Sequence, residues 1–271
     1  MRNLTVSLAQ ISVARSNPEE NLRRGERLVA EAERRGSDII CFPEMWTTGF
    51  DWDKNERIAN DQEKVIDRIA DLAKRHHIWI NGSMLALNGE GRVANTSILF
   101  DSEGRRAGTY RKTHLFTLLH EDKHMAPGEA FCTVETPWGL AGLSVCYDIR
   151  FPELFRSYAL MGVKFQFAPM AFPYPRLQHF KILLRARAIE NQMFMFSTNQ
   201  VGSEDFGRDG VATYFGSSAI IDPWGETVVE GTERDEALLT ATIDVDKVDE
   251  IRKKMTVLRD ADQTSTNCSL R

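Results

Sequence analysis

The chain reads as an α/β protein built from mixed β-sheets with helices outside them. Three observations predict this. Strand-like and helix-like hydrophobic patterns alternate along nearly all of the 271 residues, with no linker or low-complexity stretch. A hairpin signal, Asn88-Gly89-Glu90-Gly91, sits between two apolar runs. The composition, 42% hydrophobic and 27% charged, is enough to bury a large core.

The elements follow in order. Leu4, Val6 and Leu8 alternate as a strand. Asn17 caps a helix with Pro18 at its first position, and Glu20 is placed to complete a capping box. Leu22, Leu28, Val29 and Ala32 form the apolar stripe of that helix, and Gly36 ends it. Asp38 to Phe42 is a short strand stopped by Pro43-Glu44. Residues 64 to 75 read as a helix with Val65, Ile69 and Leu72 inward. Ile78–Leu87 and Val93–Phe100 are the hairpin arms. After the run Leu140 to Val145 comes a helix from Pro152 to Met161. A buried strand (163–170), a helix (177–192) and another strand (193–201) follow. Two strands then surround Pro223-Trp224-Gly225, and residues 245–254 close as a helix. The folded unit is expected to span residues 1–258, leaving 259–271 as a polar tail that is either partly disordered or reaches a second subunit at an oligomer interface.

Three reactive side chains of different chemistry end three separate apolar segments: Glu44, Lys112 and Cys146. In open α/β sheets, ligands bind outside the carboxyl ends of strands, so neighbouring strands would bring the three together. A carboxylate accepts a thiol proton and returns it to a leaving amine. A lysine beside the sulfur is expected to favour the thiolate and to hold an oxyanion, as is the backbone N–H of Tyr147 on the turn. The set is coherent for acyl transfer from an amide. Taken singly, each residue also has a plain reading as loop acid, surface charge or core thiol.

The words around them narrow the choice. Phe42-Pro43-Glu44-Met45-Trp46, Tyr110-Arg111-Lys112-Thr113-His114-Leu115-Phe116 and Cys146-Tyr147-Asp148-Ile149-Arg150-Phe151-Pro152-Glu153 resemble the three catalytic boxes of the nitrilase superfamily of carbon–nitrogen hydrolases. They stand in that family's order and approximate spacing. The resemblance runs on through residues 185–192, Asn199-Gln200-Val201-Gly202 and Ile221-Asp222-Pro223-Trp224-Gly225-Glu226. It implies a four-layer α-β-β-α sandwich, a cysteine thioester mechanism without a cofactor, and a homodimer or larger assembly packed through the helices flanking Cys146. It also implies that Glu121 is a second glutamate that supports Lys112 and positions substrate.

The segments Met45–Phe50 and Phe172-Pro173-Tyr174-Pro175-Arg176 look like the omega-amidase branch, which implies a 2-oxo dicarboxylic acid monoamide such as 2-oxoglutaramate as substrate. A free carboxylate on the substrate calls for a guanidinium, and Arg150 and Arg176 both lie near expected strand ends. Phe116 and Phe172 are candidate apolar walls. Hydrolysis of N-carbamoyl compounds, nitriles or a deaminated peptide uses the same three residues and stays open. A non-enzymatic thiol or redox-sensing protein also stays open, although it has no need of Glu44 and Lys112.

His120-Glu121-Asp122-Lys123-His124 spells H-E-x-x-H, which on a helix places two imidazoles on zinc. Met125-Ala126-Pro127-Gly128 follows at once, so any helix there is short, and no third ligand stands at a useful spacing. No metal is expected. A net charge of -5 argues against nucleic acid or an anionic membrane as partner. Met1-Arg2-Asn3-Leu4 reads as the start of a strand, not of a signal peptide, and no apolar stretch approaches membrane length. The four cysteines (Cys41, Cys132, Cys146, Cys268) show no disulfide framework spacing, which fits a reduced, cytoplasmic protein.

Overall fold

The computed structural model describes residues 1–207 and 210–264. The first part of the chain forms β1 (Asn3–Gln10), α1 (Pro18–Arg34), β2 (Ile39–Cys41), α2 (Trp52–Ala59), α3 (Gln62–His76), β3 (Trp79–Leu87), β4 (Val93–Phe100) and β5 (Arg106–Arg111). The short helix α4 (Glu121–His124) leads to β6 (Thr133–Thr136), β7 (Gly139–Leu143), α5 (Pro152–Leu160), β8 (Phe165–Met170), α6 (Leu177–Asn191) and β9 (Phe194–Asn199). A ribbon of β10 (Val201–Asp205) and β11 (Val211–Phe215) follows. The chain then forms β12 (Ala219–Ile221), β13 (Thr227–Glu230), β14 (Ala237–Asp244), α7 (Lys247–Lys254) and α8 (Val257–Thr264).

Two six-stranded mixed sheets, ordered β14-β1-β2-β3-β4-β5 and β13-β12-β9-β8-β7-β6, pack face to face with helices on their outer sides. This is the four-layer sandwich that the resemblance implied. Each sheet has an inner run of three parallel strands, β1-β2-β3 and β7-β8-β9, flanked by antiparallel neighbours. The register explains the continuous apolar runs. Ile39 and Cys41 enter the core between the sheets, while Ile40 enters the core that contains Leu22 and Val29 of α1 and Ile69 of α3. A strand buried on both faces has no polar side to show.

Several expectations need adjustment. Asn17 accepts the Glu20 N–H at 3.2 Å, but the Glu20 carboxylate turns to Arg23, so the capping box is only half formed. The sequence pattern gives no element at α2, at β6, at β14 or at the β10–β11 ribbon. α2 is short and mostly polar, and the ribbon is buried chiefly at Val201, Glu204, Tyr214 and Phe215, so neither carries a clear period. The boundary drawn before Arg259 falls inside α8, and residues 265–271, including Cys268, lie outside the described part. Among the described residues, no helix is long and apolar enough to cross a membrane.

Candidate active site

Glu44 follows β2 on a loop that both sheets hold. Its N–H donates to the Met170 carbonyl at 3.2 Å, and its carbonyl accepts from the Gln200 side chain at 2.8 Å. One residue on, Met45 takes a left-handed φ of 51° and donates to the Ser83 hydroxyl at 3.0 Å. Trp46 anchors the loop by stacking on Phe42, with ring centroids 4.2 Å apart. Its indole fills space that only glycine leaves open, since a Cβ on Gly25 would approach it to 2.6 Å and one on Gly82 to 2.8 Å.

The Glu44 carboxylate is buried, and its Oε1 accepts from Asn95 Nδ2 and Lys112 Nζ, both at 2.8 Å. Lys112 follows β5, and its backbone N–H bonds to the Asn95 carbonyl. Its ammonium also lies 2.8 Å from both oxygens of Glu121. The second Glu121 oxygen accepts the Phe116 N–H at 2.7 Å. Burial works against the Lys112 charge, but the two carboxylates outweigh it and hold the ammonium protonated well above the usual lysine range.

Cys146 sits just beyond β7 on a 3-10 turn (Cys146–Arg150) with a left-handed φ of 42°. For a residue with a Cβ this backbone is strained, and it projects the thiol out of the strand line. The thiol lies close enough to Glu44 and Lys112 for both charges to act on it. The three residues from distant segments therefore meet.

The expected thiolate is not the resting form. Burial and the charge of Glu44 push the Cys146 thiol well above its ordinary value, and the pull of Lys112 does not offset them. The resting sulfur is a neutral thiol with a base beside it.

The turn is braced on both sides. Asp148, fully buried, contacts Tyr110, Thr113 and His114 and accepts the Val145 N–H at 2.9 Å. From α6, Arg187 donates to the Ile149 carbonyl at 2.9 Å. Tyr147 stands in the first positions of the 3-10 turn, where N–H groups lack partners within the helix and can meet an oxyanion.

Beside the thiol, Phe116, Tyr147, Arg150, Phe172 and Arg176 line a narrow pocket with an empty volume of about 260 Å³, completed by Ala171 and Pro173. The Arg150 guanidinium lies over Phe172 and Tyr147, 5.3 and 5.9 Å from their centroids, and that of Arg176 lies 5.6 Å from Phe116. A larger open hollow of about 1280 Å³ is lined by Asp53, Arg57, Arg92 and His124 among others, with no cysteine, serine or threonine. The H-E-x-x-H segment does not fit zinc. Glu121 is committed to Lys112, the His124 ring stacks on Trp52 with centroids 4.9 Å apart, and no metal-binding cluster of three or more donor residues occurs among the described residues.

A carbon–nitrogen hydrolase family profile matches residues 5–253. The chain belongs to the nitrilase superfamily of carbon–nitrogen hydrolases. The amidase is 34% identical to the 2-oxoglutaramate amidase of Bacillus subtilis (strain 168), over 94% of this chain and 96% of that one. It is 32% identical to mouse omega-amidase NIT2, over 96% and 95%. The NitFhit protein of C. elegans superposes with a TM-score of 0.87 at 28% identity, covering 95% of this chain and 64% of that one. Sequence reasoning did not single out Asn95, Gln200 or Arg187 as supports of the site. Asn95 left a trace: Asn95, Thr96 and Ser97 are polar residues inside a strand whose neighbours are apolar, and all are buried.

Proposed function

We propose that this amidase hydrolyses a small ω-amide through a thioester on Cys146. Glu44 takes the thiol proton as the sulfur attacks the amide carbonyl, and Lys112 and the Tyr147 N–H hold the oxyanion. Collapse breaks the C–N bond, and ammonia departs with the proton held by Glu44. Water then attacks the thioester, Glu44 takes its proton, and the acid leaves as the thiol is restored. Glu121 keeps Lys112 aimed at this centre. The observation that carries the reading is the bond between Glu44 and Lys112, with Cys146 close enough for both to act on its thiol, beside a pocket bearing two guanidiniums. A redox thiol needs neither partner.

The substrate proposed is the monoamide of a short 2-oxo dicarboxylic acid, 2-oxoglutaramate or a near homologue. The 2-oxoglutaramate amidase and omega-amidase relatives support it, and so does the pocket. The guanidiniums of Arg150 and Arg176 lie over aromatic rings, and no carboxylate among the described residues pairs with either, so a substrate carboxylate has two cations to bind. The narrow space favours a short chain over a peptide. Ammonia release across a panel of small amides tests this. The 2-oxo dicarboxylic monoamides should be turned over fastest, Cys146→Ser should retain very little activity and Cys146→Ala none. Faster turnover of a nitrile or a neutral amide would overturn the substrate assignment.

A cytoplasmic location fits the free thiols of Cys41, Cys132 and Cys146. We further propose a homodimer through the α5–α6 side, where Leu160, Met161, Ile182 and Ile189 are exposed apolar residues. The mass in solution tests it, and a monomer at micromolar concentration would refute it.

A further inference from the structure

We propose that Glu204, acting through Tyr214, is a positioning residue that fixes one pocket wall against the Glu44 loop and so sets the length of amide accepted. The inference rests on the amidase reading of the pocket.

Glu204 lies on β10 and is 8% exposed. Its two carboxylate oxygens hold different parts of the site. Oε1 accepts the Phe50 N–H at 2.8 Å, at the end of the loop that carries Glu44. Oε2 accepts the Tyr214 hydroxyl at 2.9 Å. Tyr214 belongs to β11, which is joined to the pocket wall by a β-bridge between Tyr214 and Pro173 and by the Tyr174 N–H donating to the Thr213 carbonyl at 2.9 Å. Phe172 and Pro173 of that wall line the pocket beside Cys146. One carboxylate therefore ties the base-bearing loop to the wall that meets the substrate.

The approach is close at both ends. Gly49, with a left-handed φ of 63°, leaves just enough room, since a Cβ there would stand 3.0 Å from Glu204 Oε1. Tyr214 is fully buried, and the charges of Glu204 and, more weakly, of Glu44 bear on its phenol. Burying a carboxylate is unfavourable, and burial pushes the Glu204 carboxyl up while Arg15, 3.7 Å away, pulls the other way. A neutral side chain would fill the space at less cost. What the carboxylate adds is two acceptors at a fixed separation, each used by a different arm of the site.

Tyr214→Phe removes one hydroxyl and keeps the ring. Glu204→Gln keeps the shape but leaves one acceptor for two donors. The probes are the ω-monoamides of four- and five-carbon 2-oxo dicarboxylic acids. The ratio of their kcat/KM values should change by about fivefold in each variant, the worth of one hydrogen bond. A purely structural role lowers active enzyme for both probes alike and leaves the ratio unchanged, and that result overturns the proposal. Should Glu204→Gln fail to fold, Tyr214→Phe carries the test. A parent enzyme that hydrolyses neither probe overturns the proposed substrate reading and this proposal together, whereas a parent that hydrolyses both, with variants keeping its ratio, overturns only the Glu204 assignment.

Discussion

Asp148 and His114 are bonded twice: Oδ1 of Asp148 lies 3.1 Å from the His114 backbone N and 2.8 Å from its ring Nδ1. The pair joins the turn that presents Cys146 to the segment that follows Lys112, while the other Asp148 oxygen accepts the Val145 N–H and the Tyr110 hydroxyl. The turn that bears Cys146 and the segment after Lys112 are thus held in register by a buried carboxylate that hydrogen-bonds to neither side chain.

Asp148→Asn should therefore be costly although it changes few atoms. An amide NH2 would face donors where a carboxylate oxygen now accepts. A loss of roughly 3 kcal/mol in unfolding free energy is expected, with kcat falling in the fraction that remains folded. Denaturant unfolding alongside active-site titration checks it, and unchanged stability would refute the bracing role.

Gly82→Ala tests how the Glu44 loop is seated. The new methyl would stand 2.8 Å from the Trp46 indole, which is boxed in by Phe42 and α1 and has nowhere to retreat. Overpacking of this kind costs about 1–3 kcal/mol, and moving Trp46 should shift Glu44 as well. Thermal unfolding and kcat should fall together. A variant with parental stability would mean that the loop is softer than the packing indicates.

The pH dependence of Cys146 alkylation has a definite sign. The thiol stands well above 9.0, so the reactive thiolate grows as pH rises, and alkylation by iodoacetamide without substrate should still be increasing at pH 9. Part of that elevation comes from the Glu44 charge. Glu44→Gln should move the alkylation profile to lower pH while abolishing amide hydrolysis. A profile already flat at neutral pH in the parent enzyme would contradict the resting thiol.

Arg150 and Arg176 make separable predictions. Replacing either with Met keeps an apolar stem over the rings but removes the guanidinium. KM for a carboxylate-bearing amide should rise about 10- to 100-fold, and KM for a neutral amide of equal length should hardly change. Equal changes for both substrates would assign the arginines to packing alone.

Much of this was readable from residues. The strand pattern of Leu4, Val6 and Leu8 and the hairpin at Asn88-Gly89 report local physics, a two-residue period and a turn, and the elements formed there. Glu44 and Cys146 were legible because each ends an apolar segment, and Lys112 because it closes a strand, each within a recognisable local word. The thiol's charge state was not, because it depends on how deeply the sulfur is buried and how near Glu44 comes, which no local pattern encodes. Glu204 and Tyr214 were hidden for a related reason: they lie on a ribbon buried only in part, ten residues apart, and their significance arises from the loops they join.

The most direct measurement is the intact mass of the enzyme, acid-quenched within one turnover of a 2-oxo dicarboxylic monoamide. The account predicts a covalent adduct equal to the substrate acyl group, mapped to the Cys146 peptide and absent from Cys146→Ala. Ammonia release at the parental rate by Cys146→Ala, with no adduct on the parent enzyme, would contradict it.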